Sequence, residues 1–308
     1  MTVPFDLSSP TVAGLVARCW FPPRATPVTC AVSGGADSLA LLVLSVAAGC
    51  ETEAVHVDHG LRRGSAAESD VVADAASRLG AGFRAERATV ALGPNLEARA
   101  RDARRAVLPP DSLTGHTADD RAETMLLNLL RGAGPAGMSG IARSPRKPLL
   151  DLRRHETASL CTSLGLEPVD DPSNRDPAFR RNRVRHELLP LLADIGERDP
   201  VPVLVRQADL FADLDETVVE LAAGVDPTSA ADLRGASRAI AGAAVRAWLL
   251  AAGVGAGHSV DAALVSRILA VAANDAVATE VVGGWRVQRS AGRLCLVAPG
   301  PCKDAPHG

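Results

Sequence analysis

Residues 29–44, TCAVSGGADSLALLVL, constrain the fold of this chain more than any other stretch. Residues 27–32 are short, apolar and rich in β-branched side chains, which is typical of a buried parallel strand. Residues 39–48 are apolar helix formers that end at Gly49. The turn between them, SGGADS at residues 33–38, puts two glycines before a helix start, where unpaired N–H groups and a positive dipole end lie. This combination predicts an anion site, and the natural anion is phosphate.

The residues of the turn distinguish between the known kinds of phosphate site. A Walker A loop needs a lysine, and residues 33–38 contain none. They also lack the GxGxxG pattern of a Rossmann dinucleotide site. SGGADS resembles SGGxDS, the pyrophosphate loop of the N-type ATP pyrophosphatases, which cleave ATP between the α- and β-phosphates. The alternative is a plain strand–helix turn of small residues, which explains the glycines but not the six-residue match.

Composition narrows the class of protein. A chain of 308 residues is long enough for two domains, and 47% hydrophobic with 22% charged residues is an ordinary globular balance. The net charge of −3 gives no global basic character, so a nucleic-acid partner must be met by a local patch. The six cysteines form no CxxC pair and no zinc spacing. Because we find no signal peptide and no bilayer-length apolar run, we expect a cytoplasmic protein with no membrane partner.

Strands and helices alternate along the first part of the chain. Strands are predicted over residues 27–32, 52–57, 83–90 and 112–115, each followed by a helical pattern. This alternation indicates an α/β fold with a parallel sheet, whose ligands should lie at the carboxyl ends of the strands. Further along, residues 132–140 predict a flexible glycine loop, and an arginine-rich helix over 178–189 should break or kink at Pro190.

The composition changes in the second part of the chain. A long helix with one basic residue is predicted over 199–221, and two alanine-rich helices follow. A hairpin around Gly283-Gly284 and a further strand over 293–297 complete a small α+β domain. We therefore predict a catalytic domain over residues 1–195, a linker helix over 196–225 and a C-terminal domain over 226–308.

Polar residues follow the second predicted strand as HVDHGLR at 56–62. His56 and His59 invite a metal interpretation, but zinc needs further ligands and none is nearby in the sequence. A second interpretation is a polar loop in which one histidine caps a helix. The third is recognition of adenine and ribose beside the phosphate loop.

A second polar cluster, GHTADDRAET at 115–124, follows the fourth predicted strand. Its acids are Asp119, Asp120 and Glu123. Acids favour a helix N-terminus through the helix dipole, which explains them but not the adjacent His116. Asp120 and Glu123 are three residues apart and share a helix face, so they can hold an ammonium group, a magnesium ion or both.

Together these stretches resemble one family, tRNA(Ile)-lysidine synthetase. The matching stretches are SGGADS at 33–38, HVDHGLR at 56–62, GHTADDRAET at 115–124, LNLLRGAG at 127–134 and DPSNRD…RNRVRHELLP at 171–190, and NLEARARDAR at 95–104 also fits. The chain departs from the family at Arg105, where an aromatic residue is usual, and at Arg121, where glutamine is usual. The second half resembles the first C-terminal domain of the family.

The resemblance implies a two-step ligase that forms a carbon–nitrogen bond. The wobble cytidine of a CAU-anticodon isoleucine tRNA is adenylated by ATP with release of pyrophosphate, and the ε-amine of free L-lysine then displaces AMP. Backbone amides and Mg²⁺ should be preorganised around the leaving pyrophosphate, and the second step needs a neutral amine beside a carboxylate. The residues implied are Asp37 (also the Mg²⁺ ligand), His116, Asp120 and Glu123 for catalysis, and Ser33, Gly34, Gly35, Ala36, Asp37, Ser38, His59 and Arg62 for ATP.

The strongest basic run of the chain is RRNRVRH at 180–186. A solvated helix face is one interpretation. The other is an anion site, because Arg181 and Arg185 are four residues apart and their mutual repulsion would be relieved by phosphate. That phosphate belongs either to the tRNA backbone or to ATP. We assign tRNA binding to Arg180, Arg181, Arg183 and Arg185.

Other functions stay open at this point. A tRNA thiolase of the same superfamily would need cysteines, usually as CxxC, and a glutamine-dependent relative would need a glutaminase domain for which there is no room. A non-catalytic nucleotide- or RNA-binding module is a different class, and the set of His116, Asp120 and Glu123 argues against it. The sequence does not give the oligomeric state, so a homodimer stays open.

Overall fold

The computed structural model describes residues 5–58, 65–89, 96–254 and 260–299. The chain divides into two compact units, Met1–Phe211 and Ala212–Gly308. Among the described residues, none of the helices is long and apolar enough to cross a membrane. The three regions predicted from the sequence stay a prediction.

The first unit is a parallel sheet with helices. Its strands are β1 (Pro27–Ala31), β2 (Glu51–Asp58), β3 (Gly82–Arg87) and β4 (Leu113–Thr114). Its helices are α1 (Pro10–Val16), α2 (Ala36–Ala47), α3 (Ser65–Leu79), α4 (Leu96–Val107), α5 (Ala118–Leu129), α6 (Pro135–Met138), α7 (Arg154–Ser163), α8 (Arg180–Arg183) and α9 (Leu189–Gly196), and α10 (Pro200–Ala222) begins in this unit. The strand order is β3-β2-β1-β4, and every pair is parallel. The predicted α/β class is confirmed.

Helix α2 lies at the centre of the first unit. It is buried on all sides from Ser38 to Ser45, which matches a run that is apolar all round rather than on one stripe. Burial of its leucines and valines, at roughly 1.5–3 kcal/mol each, makes it the main apolar anchor of the unit. Because α2 is fixed in the core, the turn that precedes it is held at the carboxyl end of β1.

The chain around Pro190 stays helical, so the break that was one of the two predicted outcomes does not occur; the helix is instead irregular just before the proline. The stretch Val184–Leu188 is a π-helix that joins α8 to α9, and the Leu189 N–H donates to the Val184 oxygen five residues back. Proline has no N–H and its ring crowds the carbonyl four residues earlier. The wider π turn, in which bonds reach five residues back, accommodates that ring, and such turns are frequent at functional sites. The glycine loop predicted at 132–140 also contains a short helix, α6.

The second unit contains helices and a small antiparallel sheet, as the fold class predicted for the end of the chain requires. After α10 come α11 (Ala230–Gly235), which the sequence did not predict, α12 (Arg238–Ala251) and α13 (Ala262–Ala273). Strands β5 (Ala278–Glu280), β6 (Arg286–Ser290) and β7 (Arg293–Val297) form an antiparallel sheet in that order. The predicted hairpin turn is confirmed, because Gly283 and Gly284 have φ angles of 76° and 77°, in the region that favours glycine.

Candidate active site

The predicted phosphate loop lies at the carboxyl end of the central strand β1. Gly34 has a φ of +87°, and a Cβ there would come 3.1 Å from Val169 Cγ2. The Val169 N–H donates to the Gly34 oxygen at 3.0 Å, so the segment that contains Val169 covers this side of the turn. Gly35 is the N-cap of α2 and leaves the first amides of that helix without a capping side chain. The loop thus has the backbone geometry of an anion site.

The two loop serines brace the turn from within. Ser38 Oγ accepts the Ser33 N–H at 3.1 Å and donates to the Gly35 oxygen at 2.8 Å. The two serine hydroxyls are 3.3 Å apart. The predicted ATP-binding serines therefore have a structural role as well, because they hold the amides of the loop in place.

A second glycine brings the acidic motif against the loop. A Cβ on Gly115 would lie 2.6 Å from the Asp37 carbonyl oxygen, so only glycine allows this approach of β4 to α2. His116 follows, with its Nδ1 2.9 Å from Thr114 Oγ1. Burial lowers the pKa of His116 below its usual value, which favours a neutral imidazole at neutral pH.

The neighbouring acids Asp119 and Asp120, at the start of α5, point in different directions and have different partners. Asp120 Oδ2 accepts the Thr117 N–H at 2.8 Å, as a capping box requires. Asp119 points elsewhere: Arg153 donates to its two oxygens at 3.0 and 3.1 Å, and the Arg154 N–H donates to Oδ2 at 2.8 Å. Helix capping thus accounts for part of the motif, and Asp119 holds the start of α7.

Six charged side chains meet beside the loop, and we call them the site cluster: Asp37, Asp120, Glu123, Arg154, Arg181 and Arg185. Glu123 is fully buried and accepts from three guanidiniums, with nitrogen–oxygen distances of 2.8 Å to Arg154, 2.7 Å to Arg181 and 2.7 Å to Arg185. Asp120 Oδ1 accepts from Arg154 at 2.9 Å and from Arg181 at 3.0 Å. Asp37 accepts from Thr157 Oγ1 and lies 3.4 Å from Arg154 Nε.

The pKa values of the acids reflect these partners. For Glu123, burial alone would raise the pKa, but the Arg185 hydrogen bond and the charges of Arg154 and Arg185 lower it to about 2. For Asp37, burial raises the pKa above its usual value, against the hydrogen bond from Thr157 and the charge of Arg154. Glu123 is therefore an anion matched to guanidiniums, whereas the charge of Asp37 is less well compensated.

The arginines of the basic run divide between two faces of their helix. Arg181 and Arg185 turn inward to the site cluster. Arg183 pairs with Glu187 at 2.8 Å on the surface, and Arg180 and Arg183 line a groove of about 450 Å³. The anion that Arg181 and Arg185 contact in this structure is a protein carboxylate. A tRNA role for all four arginines stays a prediction.

The histidine motif is described only in part. His56 is buried, with its Nδ1 3.0 Å from the Val32 oxygen, and it joins β2 to the end of β1. His59 and Arg62 lie outside the described residues, so their predicted role at ATP stays a prediction. Among the residues that the structure describes, no group of three or more histidine, cysteine or acidic side chains could hold a metal.

The residues beside the loop can be compared with what a magnesium ion requires. Magnesium in nucleotide sites is held by one or two carboxylates together with substrate phosphates, not by an all-protein cage. Asp37, on the first turn of α2 and with an incompletely compensated charge, is a suitable donor for such a site.

Sequence reasoning missed Arg154 and Thr157. Both lie on α7, 117 and 120 positions from the Asp37 that they contact, in a stretch that predicted only an ordinary helix. The two adjacent arginines at 153 and 154 are the only visible signal. They gave no indication that one faces the site and the other faces Asp119.

Comparisons with known proteins agree with this geometry. Residues 13–192 match a family described as a PP-loop domain. The tRNA(Ile)-lysidine synthase of Nocardia farcinica is 42% identical over 252 residues, 75% of this chain and 78% of the relative. That of Salinispora arenicola is 38% identical, over 91% of this chain and 93% of the relative. The solved U34-tRNA thiolase NcsA of Methanococcus maripaludis shares the fold, with a TM-score of 0.51 and 18% identity over 65% of this chain and 78% of that chain.

Proposed function

This chain belongs to the PP-loop domain family and, within it, to the tRNA(Ile)-lysidine synthases, and from that premise we propose how its residues carry out the reaction. Membership makes it an ATP-dependent, tRNA-modifying enzyme. The finer proposal is a ligase that adenylates the wobble cytidine of a CAU-anticodon isoleucine tRNA and joins it to the ε-amine of free L-lysine. The observation that carries this proposal is the meeting of the phosphate loop with the carboxylates of α5.

In the first half-reaction, the loop holds the pyrophosphate that leaves. The amides at the start of α2 point at the end of β1, and Ser33 and Ser38 keep the loop in shape. Fixed donors of this kind stabilise the charge that develops on a leaving group without reorganising during the reaction. Asp37 would hold Mg²⁺ together with the phosphates, and the ion would neutralise part of their charge.

In the second half-reaction, an amine replaces AMP on the base. The amine must be neutral when it attacks, so a nearby group has to take its proton. Asp120 and Glu123 are the acids that would attract the ammonium form of lysine. Burial lowers the pKa of His116, so its imidazole is neutral at neutral pH, and it lies near enough to Asp120 to feel the charge of that acid. It can therefore accept a hydrogen bond or a proton from substrate.

For the tRNA we propose the outer face of the basic helix. Arg180 and Arg183 line the groove beside α5, and guanidiniums bind phosphate well. Arg181 and Arg185 would contact the substrate only through the part of each guanidinium that Glu123 leaves unused. In the described residues, Nη1 of Arg181 and of Arg185 has no hydrogen-bond partner.

The experiment that tests the function uses the full chain, ATP, labelled lysine and two tRNA transcripts. One transcript has cytidine at the wobble position and the other has uridine. We expect pyrophosphate release and lysine incorporation with the cytidine transcript alone. Pyrophosphate release without incorporation would indicate another PP-loop adenylating enzyme, and no ATP cleavage at all would indicate a binding module.

A further inference from the structure

Arg154 connects the two halves of the site. Its guanidinium uses all three nitrogens on carboxylates: Nε on Asp37 at 3.4 Å, Nη1 on Glu123 at 2.8 Å and Nη2 on Asp120 at 2.9 Å. These three acids are the groups that the proposed function assigns to Mg²⁺ and to the lysine ammonium. One side chain of the protein therefore occupies the positions of both cations.

The formal charges of the site cluster balance one another within the protein. The cluster contains three acids and three guanidiniums, so its formal charges cancel. Both oxygens of Glu123 accept from guanidiniums, and the second oxygen of Asp120 accepts from Thr117. An ammonium group that enters the site therefore finds Asp120 and Glu123 already paired. To form a salt bridge with either acid, it has to displace a guanidinium.

Arg154 is the guanidinium placed to leave. Arg181 and Arg185 lie on the helix formed by α8 and the π turn, and they contact only the acids of α5 within the cluster. Arg154 alone also contacts Asp37, which lies in the first turn of α2 directly after the loop. A guanidinium binds phosphate in a bidentate, charge-assisted manner, so phosphate at the loop competes with the α5 acids for Arg154.

We propose that Arg154 is a positioning residue that fills the ammonium site until nucleotide binds, so that lysine binds after ATP. Phosphate at the loop draws the guanidinium away from Asp120 and Glu123, and the vacated acids then accept the lysine ammonium. The two ligands thereby become thermodynamically coupled, because each favours the same displaced position of Arg154. This inference rests on the proposed function, since it takes lysine as the second substrate.

The test measures lysine binding without chemistry. Equilibrium dialysis of labelled L-lysine is performed with the full chain and the cytidine transcript, with and without α,β-methylene-ATP and Mg²⁺, because that analogue cannot be cleaved between its α- and β-phosphates. In the wild type we expect the analogue to tighten lysine binding by about tenfold, a typical size for coupling between two sites.

Substitution of Arg154 should remove this coupling. Arg154→Met keeps an unbranched apolar stem but removes the guanidinium and leaves the cluster one negative charge in excess, so lysine should bind without analogue as tightly as to the loaded wild type. Arg154→Lys keeps a cation in the site and should retain most of the coupling. The matched control is Arg153→Met, the adjacent arginine, which pairs with Asp119 and Asp199 and should leave the coupling unchanged.

The outcomes separate this inference from the function on which it rests. Equal lysine affinity of the wild type with and without analogue, or undiminished coupling in Arg154→Met, overturns the role of Arg154 but leaves the function intact. A lack of lysine binding by the wild type and the variants, with analogue and transcript present, overturns both.

Discussion

Two sets of arginine–carboxylate pairs surround α5 and α7, and they are built from neighbouring residues. Asp120 and Arg154 belong to the site cluster. Asp119 and Arg153 each lie one position earlier along the chain and pair with each other instead, and Arg153 also pairs with Asp199. The same chemical groups thus face the phosphate loop on one side of the helix start and form separate ion pairs on the other.

The second set, which we call the structural pairs, joins separate segments of the first unit and does not contact the phosphate loop. Its members are Asp119 with Arg153, Asp199 with Arg153, and Asp209 with both Arg121 and Arg143. An ion pair between an arginine and an acid therefore does not by itself show whether the two residues serve the reaction or the stability of the fold. Proximity to the phosphate loop distinguishes the two sets, and substitutions in each set should separate activity from stability.

The largest effect should come from Asp37→Ala in the site cluster. Removal of the acid next to the loop should reduce pyrophosphate release by roughly 10²-fold or more, as for other preorganised electrostatic groups. Loss of this charge should not lower stability at neutral pH, because burial raises the pKa of Asp37 and its ionised form is therefore disfavoured in the folded chain relative to the unfolded one. Single-turnover pyrophosphate release together with urea unfolding checks both parts. Near-normal release would rule out a metal or phosphate role for Asp37.

The second largest effect should be on the free energy of unfolding, through Glu123, the buried anion of the site cluster. The folded-state pKa of Glu123 is about 2 against an ordinary 4.5. Its ionised form therefore stabilises the fold fully above about pH 4.5, and this contribution, about 3 kcal/mol, is lost as the pH falls toward 2.

The variant Glu123→Gln isolates this contribution. At pH 7 it leaves three guanidiniums without their shared counter-charge, so it should unfold at lower urea concentration than the wild type. The difference in unfolding free energy between the two proteins should shrink as the pH falls below about 4.5. A difference that does not change with pH would mean that Glu123 is not the anion that holds these arginines.

The smallest effect should come from the structural pairs, with Asp209→Asn. Arg121 has a side chain that is 1% exposed, and two of its buried nitrogens have no partner among the described residues. Loss of the Asp209 charge should cost about 2 kcal/mol of stability, less than for a fully buried pair because Asp209 is 39% exposed.

Two measurements on this variant sharpen the comparison. Pyrophosphate release by folded Asp209→Asn should match the wild type, because Asp209 does not touch the site cluster. The double variant Arg121→Gln with Asp209→Asn should recover part of the stability, since a neutral side chain leaves no buried charge unpaired. Loss of chemistry in folded Asp209→Asn would show that the two sets are not separate.

Much of the fold could be predicted because its signals are local in the sequence. The strand predicted over 293–297 is found with those bounds, as β7, and the strand predicted over 52–57 lies within β2. The break predicted as one outcome at Pro190 does not occur, and the reason is also local. A π turn keeps the proline inside a helix, and such turns are rare. The helix α11 was missed because six residues are too few to show a periodic pattern.

The sequence by itself determined the phosphate loop, the helix face that Asp120 and Glu123 share, and the resemblance to the family. The loop and the helix face depend on residues that are close together along the chain, and the resemblance depends on motifs that are each short and contiguous. The tertiary structure decided which groups face that loop. Arg154, Arg181 and Arg185 reach Glu123 across 31, 58 and 62 positions. Helical periodicity shows that two arginines share a face, but only packing decides whether that face meets solvent, nucleic acid or a buried carboxylate.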